Sequence, residues 1–288
     1  MFCGFVALVG LPNAGKSTLL NRIVGESLAI TSPKPQTTRT RVVGIRTTAT
    51  AQTIFVDTPG LMVAEDELHR RMRLTSARAV RDADVVVHVA DALRGPPAPL
   101  EVALDMDRPI TAPVLIALTR ADLLAPASRA ALEEAAPAAV FVSGVTGAGV
   151  ESLLERIDAA LPEGPFLYPA DDLTTMPMRF IAAEIIREAG LAQLDEEVPH
   201  ALACEIEEFR EEPSPVYIRA TLFVERDSQK RILIGAGGAR IRAVGSAARP
   251  RIEALVGAAV YLDLWVKVLP HWRREPKQLD RLGYRLPE

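Results

Sequence analysis

The first half of the chain alternates short apolar runs with segments of helical spacing. Most of the runs have the length and composition of strands in a buried sheet: residues 5–9, 43–50, 52–56, 84–90, 114–118 and 139–142. Segments with helical spacing lie between or after them, at residues 17–24, 66–82 and 150–161. This alternation predicts an α/β domain with a mixed, mostly parallel six-stranded sheet that is covered on both faces.

The pattern changes after a proline-rich stretch at residues 161–170, LPEGPFLYPA, which suits a semi-rigid linker. We place the boundary near Pro165, with domains at 1–164 and 165–288. Beyond it the order helix, strand, strand, helix, helix, strand predicts an α+β domain. The elements with clear bounds are a helix at 177–189, a strand at 216–224, helices at 228–234 and from 239, and a strand at 260–268.

The most specific motif is GLPNAGKS at residues 10–17, which matches G-x-x-x-x-G-K-[ST] and joins the first predicted strand to the first helix. The NH groups of such a loop surround nucleotide phosphates, its Lys reaches the β- and γ-phosphates, and its Ser holds Mg²⁺. A helix N-terminus also favours an anion. A glycine-rich turn without a ligand is the alternative. The expected nucleotide-binding residues are Gly10, Asn13, Ala14, Gly15, Lys16, Ser17 and Thr18.

A second motif, DTPG at residues 57–60, follows the strand predicted at 52–56. Asp57 at the carboxyl end of a core strand beside a phosphate-binding loop lies where a Mg²⁺-linked water would be, and Gly60 can bring a bare NH to the γ-phosphate. An ordinary exit from strand to turn is the alternative. Residues 26–42 contain two prolines, four threonines and little periodicity, so they predict a mobile loop.

Two further predicted strands end in polar or small residues. Thr119, Arg120 and Asp122 follow the strand at 114–118, and Ser143 and Gly144 follow the strand at 139–142. Ligands of open α/β sheets bind at the carboxyl ends of the strands. All four motifs therefore point to one nucleotide site.

Composition limits the class of protein. The 288 residues are 49% hydrophobic with a net charge of −4, which suits a globular protein and not a polycation. Charge is nevertheless segregated: residues 171–218 hold 3 Lys and Arg against 12 Asp and Glu, a net −9, whereas 219–288 hold 14 against 7, a net +7. The basic part is the candidate nucleic-acid face. No apolar run reaches the roughly 18 residues that span a bilayer, so we expect a cytoplasmic location.

The four motifs, in this order, resemble those of the translation-factor-related GTPases. The segment SPKPQTTRTRVVGI at residues 32–45 resembles the first switch of the Era family in particular. The resemblance implies a GTPase in which Thr38 contacts Mg²⁺ and the γ-phosphate, with Thr37 as the alternative. Lys16, Thr38 and Gly60 would then act in catalysis.

The same resemblance implies that Asp122 accepts two hydrogen bonds from guanine and that a backbone NH at Ser143 and Gly144 reads the guanine oxygen. The usual Asn-Lys before this Asp is here Thr119-Arg120. Thr119 offers one hydroxyl bond, and Arg120 can lay its stem or guanidinium plane along the base. This departure affects the tightness of guanine binding more than its identity.

Asn13 is the fourth expected catalytic residue, because an Asn at this point of the loop ligates K⁺ in related GTPases. The alternative is that Asn13 bonds only within its own loop. Leu61 follows DTPG where many GTPases carry a water-orienting Gln. A leucine cannot hydrogen-bond a water, so intrinsic hydrolysis should be slow.

A Gly-x-x-Gly loop lies between two predicted helices in the basic part of the chain. Helix, GxxG, helix is the RNA clamp of KH domains, in which the bare loop lets the backbone approach four nucleotides. A helix C-cap followed by a tight turn is the alternative, but four cations flank the loop. The expected RNA-binding residues are Lys230, Arg231, Gly235, Ala236, Gly237, Gly238, Arg240 and Arg242.

Residues 224–249 and 260–273 resemble the C-terminal domain of the Era family, a prokaryotic KH domain, so the resemblance covers nearly the whole chain. It implies binding to small-subunit ribosomal RNA, a role in maturation of the small ribosomal subunit, and peripheral contact with the membrane. We expect a monomer. Two other functions fit the motifs less well. A P-loop ATPase would have no use for Asp122 at its strand end, and an RNA-binding adaptor without hydrolysis would not need Lys16, Ser17 and Asp57.

Two tryptophans belong to the last part of the second domain. Trp265 lies in an alternating strand and is interpreted as a core residue. Trp272 lies beside His271, Arg273 and Arg274, so it either stacks on a base or caps the sheet.

Overall fold

A computed structural model describes residues 1–32, 34, 36–62, 64–104, 109–194 and 201–286. The strands of the first domain are β1 (Phe2–Val9), β2 (Val42–Thr47), β3 (Ala51–Asp57), β4 (Val85–Asp91), β5 (Val114–Thr119) and β6 (Val140–Phe141). Its helices are α1 (Lys16–Val24), α2 (Glu67–Asp82), α3 (Leu100–Leu104), α4 (Pro126–Ala135) and α5 (Val150–Asp158). Only Leu132 of α4 is buried, so this helix has too weak an apolar face to be predicted from the sequence.

The six strands of the first domain form one sheet in the order β2-β3-β1-β4-β5-β6. β2 pairs antiparallel with β3, and the other neighbouring pairs are parallel. The predicted mixed, mostly parallel sheet is therefore confirmed. The turn between β2 and β3 lies at residues 48–50 rather than at residue 51, because the Thr48 hydroxyl accepts a hydrogen bond from Ala51 N at 3.0 Å and closes it early.

The second domain is α+β, as predicted. Its sheet has the order β7-β8-β9, with β7 (Ala203–Arg210) antiparallel and β9 (Val260–Val268) parallel to the central β8 (Val216–Val224). Its helices are α6 (Met178–Ala192), α7 (Asp227–Ile234), α8 (Ala239–Val256) and α9 (Pro276–Arg281). Buried residues of β8, α6 and α8 form its core, including Ile218, Leu222, Ile186, Val244 and Ile252.

The interpretation of Trp265 as a core residue is wrong. Its side chain is 53% exposed, as is much of Tyr261 four residues earlier. β9 lies at the edge of the sheet, and its alternate residues Leu262, Leu264 and Val266 pack against the core. Because successive side chains of a strand point to opposite faces, Trp265 faces away from the helices.

Trp272 is fully buried, so it packs inside the protein and does not present its ring to a base. Its indole NH donates to Ala201 O at 3.0 Å, and its ring stacks on Tyr284 with 5.7 Å between centroids. Leu68 and Met72 of α2 belong to the same apolar cluster. This cluster therefore joins the second domain to a helix of the first.

Among the helices of the described residues, none is long and apolar enough to cross a membrane.

Candidate functional site

The phosphate-binding loop leaves β1 at Gly10 and enters α1 at Lys16. Gly15 has a φ of 89°, and no side chain caps the first turn of α1. Free NH groups at a helix N-terminus suit a phosphate. The Lys16 ammonium is buried and donates to Gly10 O at 3.1 Å and Leu11 O at 2.9 Å. Burial lowers the pKa of Lys16 to about 8, and the nearby Asp57 carboxylate only partly offsets this change.

Three oxygen-bearing side chains meet beside Lys16. Ser17 Oγ donates to Asp57 Oδ2 at 2.7 Å, Thr38 Oγ1 donates to the same oxygen at 3.2 Å, and the two hydroxyl oxygens lie 2.8 Å apart. The structure thus brings Thr38, rather than its neighbour Thr37, to this cluster. Asp57 Oδ1 is buried and has no hydrogen-bond partner among the described residues. Hydroxyl and carboxylate oxygens with one buried oxygen unused fit a Mg²⁺ ion.

Gly60 lies directly against the phosphate-binding loop. A side-chain carbon at this position would approach the Pro12 backbone to 2.7 Å, so only glycine permits the contact. Leu61 donates its NH to Gly10 O at 3.0 Å, while its side chain is buried in a cluster with Ala7 and Val9. The side chain after DTPG is therefore turned into the core, where it cannot orient a water.

The unusual Thr119-Arg120 pair is tied to the phosphate-binding loop. The buried Thr119 hydroxyl lies 2.7 Å from Ala14 O and 3.1 Å from Ala90 O. Arg120 donates to Asp91 Oδ2 at 2.8 Å and to Asn13 O at 3.1 Å. The Arg120 guanidinium is therefore engaged with Asp91 and the phosphate-binding loop.

The predicted base-reading residues end two adjacent parallel strands. Asp122 is exposed in the turn after β5, and the turn is held to β6 by the bond from Ala121 N to Val142 O at 3.2 Å. Ser143 is buried after β6, and a side-chain carbon at Gly144 would lie 3.0 Å from the Thr18 methyl group. Both strand ends thus meet the start of α1.

A cavity of about 80 Å³ lies beside the phosphate-binding loop. It is smaller than the roughly 300 Å³ at the lower end of ligand pockets, so it accounts only for the phosphate end of a nucleotide. Its described walls come from the phosphate-binding loop, residues 30–32 and 36–38, Gly60 and Arg120. The expected catalytic residues Asn13, Lys16, Thr38 and Gly60 all line it.

The loop that carries Thr38 is held by the second domain, which the sequence analysis did not predict. The guanidinium of the buried Arg187 on α6 donates to Thr37 O, and Glu188 accepts from Thr31 N at 2.9 Å. Lys34 and Arg39 donate to carbonyls of the second domain, Leu191 O and Leu202 O, both at 2.6 Å. The only sequence feature that pointed to this contact is Arg187, a charged residue within the apolar pattern of α6.

The GxxG loop turns from α7 into α8 through three left-handed glycines, with φ of 73° at Gly235, 53° at Gly237 and 78° at Gly238. Ala236 and Gly237 are exposed, and a side chain at Gly237 would meet no atom within 4 Å. The loop backbone is therefore accessible to a ligand.

Four cations surround this loop, as the sequence analysis predicted. Arg231, Arg240 and Arg242 are exposed, and Lys230 is half-buried. Arg242 donates to Gly237 O at 2.6 Å, and Arg240 to Ile232 O at 3.2 Å. Positive charge next to an open backbone suits nucleic-acid phosphates.

Comparison with known proteins identifies both domains. Residues 5–120 match the model of the family described as 50S ribosome-binding GTPase, and residues 197–273 match that of the KH domain. GTPase Era of Geobacter metallireducens is 44% identical over 98% of this chain and 97% of its own length. GTPase Era of Azotobacter vinelandii is 41% identical over 98% and 97%.

Two solved structures share the whole architecture. One is Era in complex with MgGDPNP and nucleotides 1506–1542 of 16S ribosomal RNA, with a TM-score of 0.93 and 37% identity. The other is a variant of Aquifex aeolicus Era bound to GDP·AlF₄⁻, with a TM-score of 0.92 and 37% identity. Each comparison covers 99% of this chain and 100% of the solved chain.

Fold and site together define a P-loop GTPase joined to a KH domain. Its nucleotide site and its GxxG loop belong to one chain. The chain belongs to the Era family of GTPases, and it hydrolyses GTP to GDP and phosphate.

Proposed function

We propose that this GTPase binds small-subunit ribosomal RNA through its GxxG loop and acts in maturation of the small ribosomal subunit. The observation that carries the proposal is the exposed, cation-flanked loop in the same chain as the phosphate site of a GTPase. A relative of the same architecture was solved with a fragment of 16S ribosomal RNA. The loop offers the backbone access and positive charge that such a ligand needs.

The residues of the nucleotide site have different roles in hydrolysis. Lys16 and the amides of the phosphate-binding loop neutralise the charge that develops on the phosphates, and Gly60 brings its NH to the γ-phosphate. Ser17, Thr38 and Asp57 would hold Mg²⁺. When bound, this ion neutralises charge on the β- and γ-phosphate oxygens.

The two domains share the loop that carries Thr38. Arg187 and Glu188 of α6 bind the loop backbone at Thr37 and Thr31, both on the N-terminal side of Thr38. We infer that a change in the position of Thr38 on hydrolysis alters these contacts. The change would then reach the KH domain through α6.

The first test concerns the RNA clamp. Gly237→Asp should weaken binding of a single-stranded RNA from the 3′ end of 16S ribosomal RNA by about ten- to a hundredfold, the range that one lost contact costs. The reason is that the carboxylate would lie against the phosphates. Fluorescence anisotropy at several salt concentrations measures the effect, and the affinity of the unmodified protein should fall steeply with salt.

Gly237→Asn is the matched control. Asn has the shape of Asp, tolerates the left-handed backbone at this position and adds no charge. It should keep most of the RNA affinity, and both variants should bind GTP as the unmodified protein does. Unchanged RNA affinity in a folded Gly237→Asp protein would mean that the GxxG loop is only a turn.

The second test concerns a monovalent cation. We propose that K⁺ accelerates hydrolysis through Asn13, because Leu61 cannot orient the attacking water and a charge near the γ-phosphate would offset this loss. Asn13 has a left-handed backbone with a φ of 61° and lines the phosphate cavity. Single-turnover rates should be higher in KCl than in NaCl at equal ionic strength, on the order of tenfold for about 1.4 kcal/mol.

Asn13→Ala should remove this difference while GTP still binds. Equal rates in the two salts would rule out the role of K⁺ and leave water positioning to RNA or to the ribosome.

Location and oligomeric state stay predictions. We propose a cytoplasmic monomer with peripheral membrane contact, and fractionation of cells together with sedimentation of the protein would test both statements.

A further inference from the structure

A second cleft, of about 650 Å³, lies where four parts of the chain meet. Its walls come from residues 39–41 and 43 after Thr38, helix α2, the segment between α5 and α6 at Tyr168 and Thr175, and the C-terminal residues 283–286. It shares no lining residue with the phosphate cavity. Its volume falls within the roughly 300–1,000 Å³ of small-molecule sites.

The floor of the cleft is apolar and remains partly open. Val43 on β2 pairs with Val56 on β3, and Val56 lies beside Ala7 on β1, two residues from Phe5. Phe5, Val43 and Val56 thus share one face of the sheet, and all three are only half-buried. Sheets of this kind are normally covered on both faces, so this floor can still bury an apolar group.

The walls of the cleft are basic. Five arginines line it against one acidic side chain, Asp82, among the described residues: Arg39, Arg41, Arg71, Arg78 and Arg285. Arg71 binds Asp280 at 2.5 Å and Tyr284 O at 2.7 Å, and Arg78 binds Asp82 at 2.6 Å. Arg41 and Arg285 are exposed at the surface of the cleft.

Hydrogen bonds fix the walls relative to the floor. Thr174 Oγ1 donates to Val43 O at 2.5 Å, and Gln52 binds the backbone of Tyr168 at 2.8 and 3.0 Å, which holds the segment between α5 and α6 against the sheet. Arg71 ties α2 to the C-terminal residues. The cleft is therefore preformed, which lowers the entropic cost of binding.

We propose that this cleft is a binding site for a small amphiphilic anion. Its apolar body would lie on Phe5, Val43 and Val56, and its phosphate, sulfonate or carboxylate group would bind Arg41 and Arg285. Guanidinium groups recognise such anions through paired hydrogen bonds, and the apolar floor excludes water from the rest of the ligand. A purely inorganic anion would leave the floor unused.

The position of the cleft links its occupant to the nucleotide. Residues 39–41 directly follow Thr38, α2 follows the DTPG motif, and residues 283–286 belong to the second domain. If these parts move between the GTP and GDP states, the affinity for the anion differs between the states, and by linkage the anion changes nucleotide affinity to the same extent.

The test uses full-length protein saturated with GDP and Mg²⁺, with 8-anilinonaphthalene-1-sulfonate as the fluorescent probe. We expect saturable binding at one site of highest affinity. The double variant Arg41→Ala, Arg285→Ala should weaken it at least about tenfold, because it removes both guanidinium groups that would bind the anion. The matched control, Arg249→Ala with Arg274→Ala, removes two exposed arginines elsewhere and should leave affinity within about twofold.

Displacement identifies the apolar body. Dodecyl phosphate below its micellar concentration should displace the probe if the body is aliphatic, and adenosine 5′-monophosphate should do so if it is aromatic. Saturated GDP keeps both competitors out of the nucleotide site. Equal probe affinity in the unmodified protein and the Arg41→Ala, Arg285→Ala variant would overturn the proposal.

Discussion

The protein should bind GTP more tightly than ATP by a factor of roughly 10⁴ or more, because a site built to pair with one set of hydrogen-bond donors rejects a ligand that lacks them. We expect Asp122 to make the distinction. Its exposed carboxylate stands at the end of β5, next to the loop that carries Ser143 and Gly144. Guanine offers this carboxylate two donors, and adenine offers none in the same place.

The Thr119-Arg120 pair does not weaken this expectation. Thr119 ties the strand end to Ala14 O, and Arg120 ties it to Asn13 O and Asp91. The turn that carries Asp122 is therefore fixed to the phosphate-binding loop. Isothermal titration with GDP, GTP and ATP in the presence of Mg²⁺ measures the ratio.

Asp122→Asn should shift the preference toward xanthosine triphosphate, whose carbonyl accepts a hydrogen bond where the guanine amino group donates one. Asp172→Asn, at an exposed site between α5 and α6, is the control and should leave guanine preference unchanged. Equal affinities for ATP and GTP in the unmodified protein would contradict the assignment of Asp122.

Trp272→Ala should lower the free energy of unfolding of the second domain by about 3–5 kcal/mol, the usual cost of truncating a buried aromatic residue. Trp272 has 0% exposure, donates to Ala201 O and stacks on Tyr284. The Arg39 guanidinium lies over its ring at 5.6 Å. Truncation would open a cavity where α2 of the first domain meets the second domain.

Trp265→Ala provides an internal control, since its ring is 53% exposed. Its unfolding free energy should stay within about 0.5 kcal/mol of the unmodified protein, as for other surface substitutions. Urea unfolding followed by circular dichroism measures both variants. Each variant retains one tryptophan. The fluorescence of the buried Trp272 in Trp265→Ala should be blue-shifted, and that of the exposed Trp265 in Trp272→Ala should resemble tryptophan in water. Similar losses of stability in both variants would be inconsistent with the packing at Trp272.

The sequence by itself predicted a nucleotide site and the order of its motifs along the chain. A phosphate-binding loop is a local structure: Gly10, Gly15, Lys16 and Ser17 lie within eight residues, and their backbone geometry follows from their own types. The other motifs follow apolar runs, and parallel strands place their carboxyl ends at one edge of a sheet. The convergence of Asp57, Thr119 and Ser143 on α1 could therefore be predicted without coordinates.

The GxxG loop was also predictable, because three of its four residues are glycines and the turn between α7 and α8 uses all three in the left-handed region. Its cations are close neighbours in the sequence.

Only the tertiary structure decided which residues connect these sites. Trp265 lies in an alternating strand and Trp272 lies among charged residues, yet the edge position of β9 exposes Trp265 while the contact with α2 buries Trp272. Arg187 reaches Thr37 across 150 residues of sequence, and the cleft brings together residues as far apart as Phe5 and Arg285. Periodicity reports which face of an element is buried, not which distant element covers it. Which element covers each face depends on how the two domains pack together. That packing brings Arg187 into contact with the loop that carries Thr38.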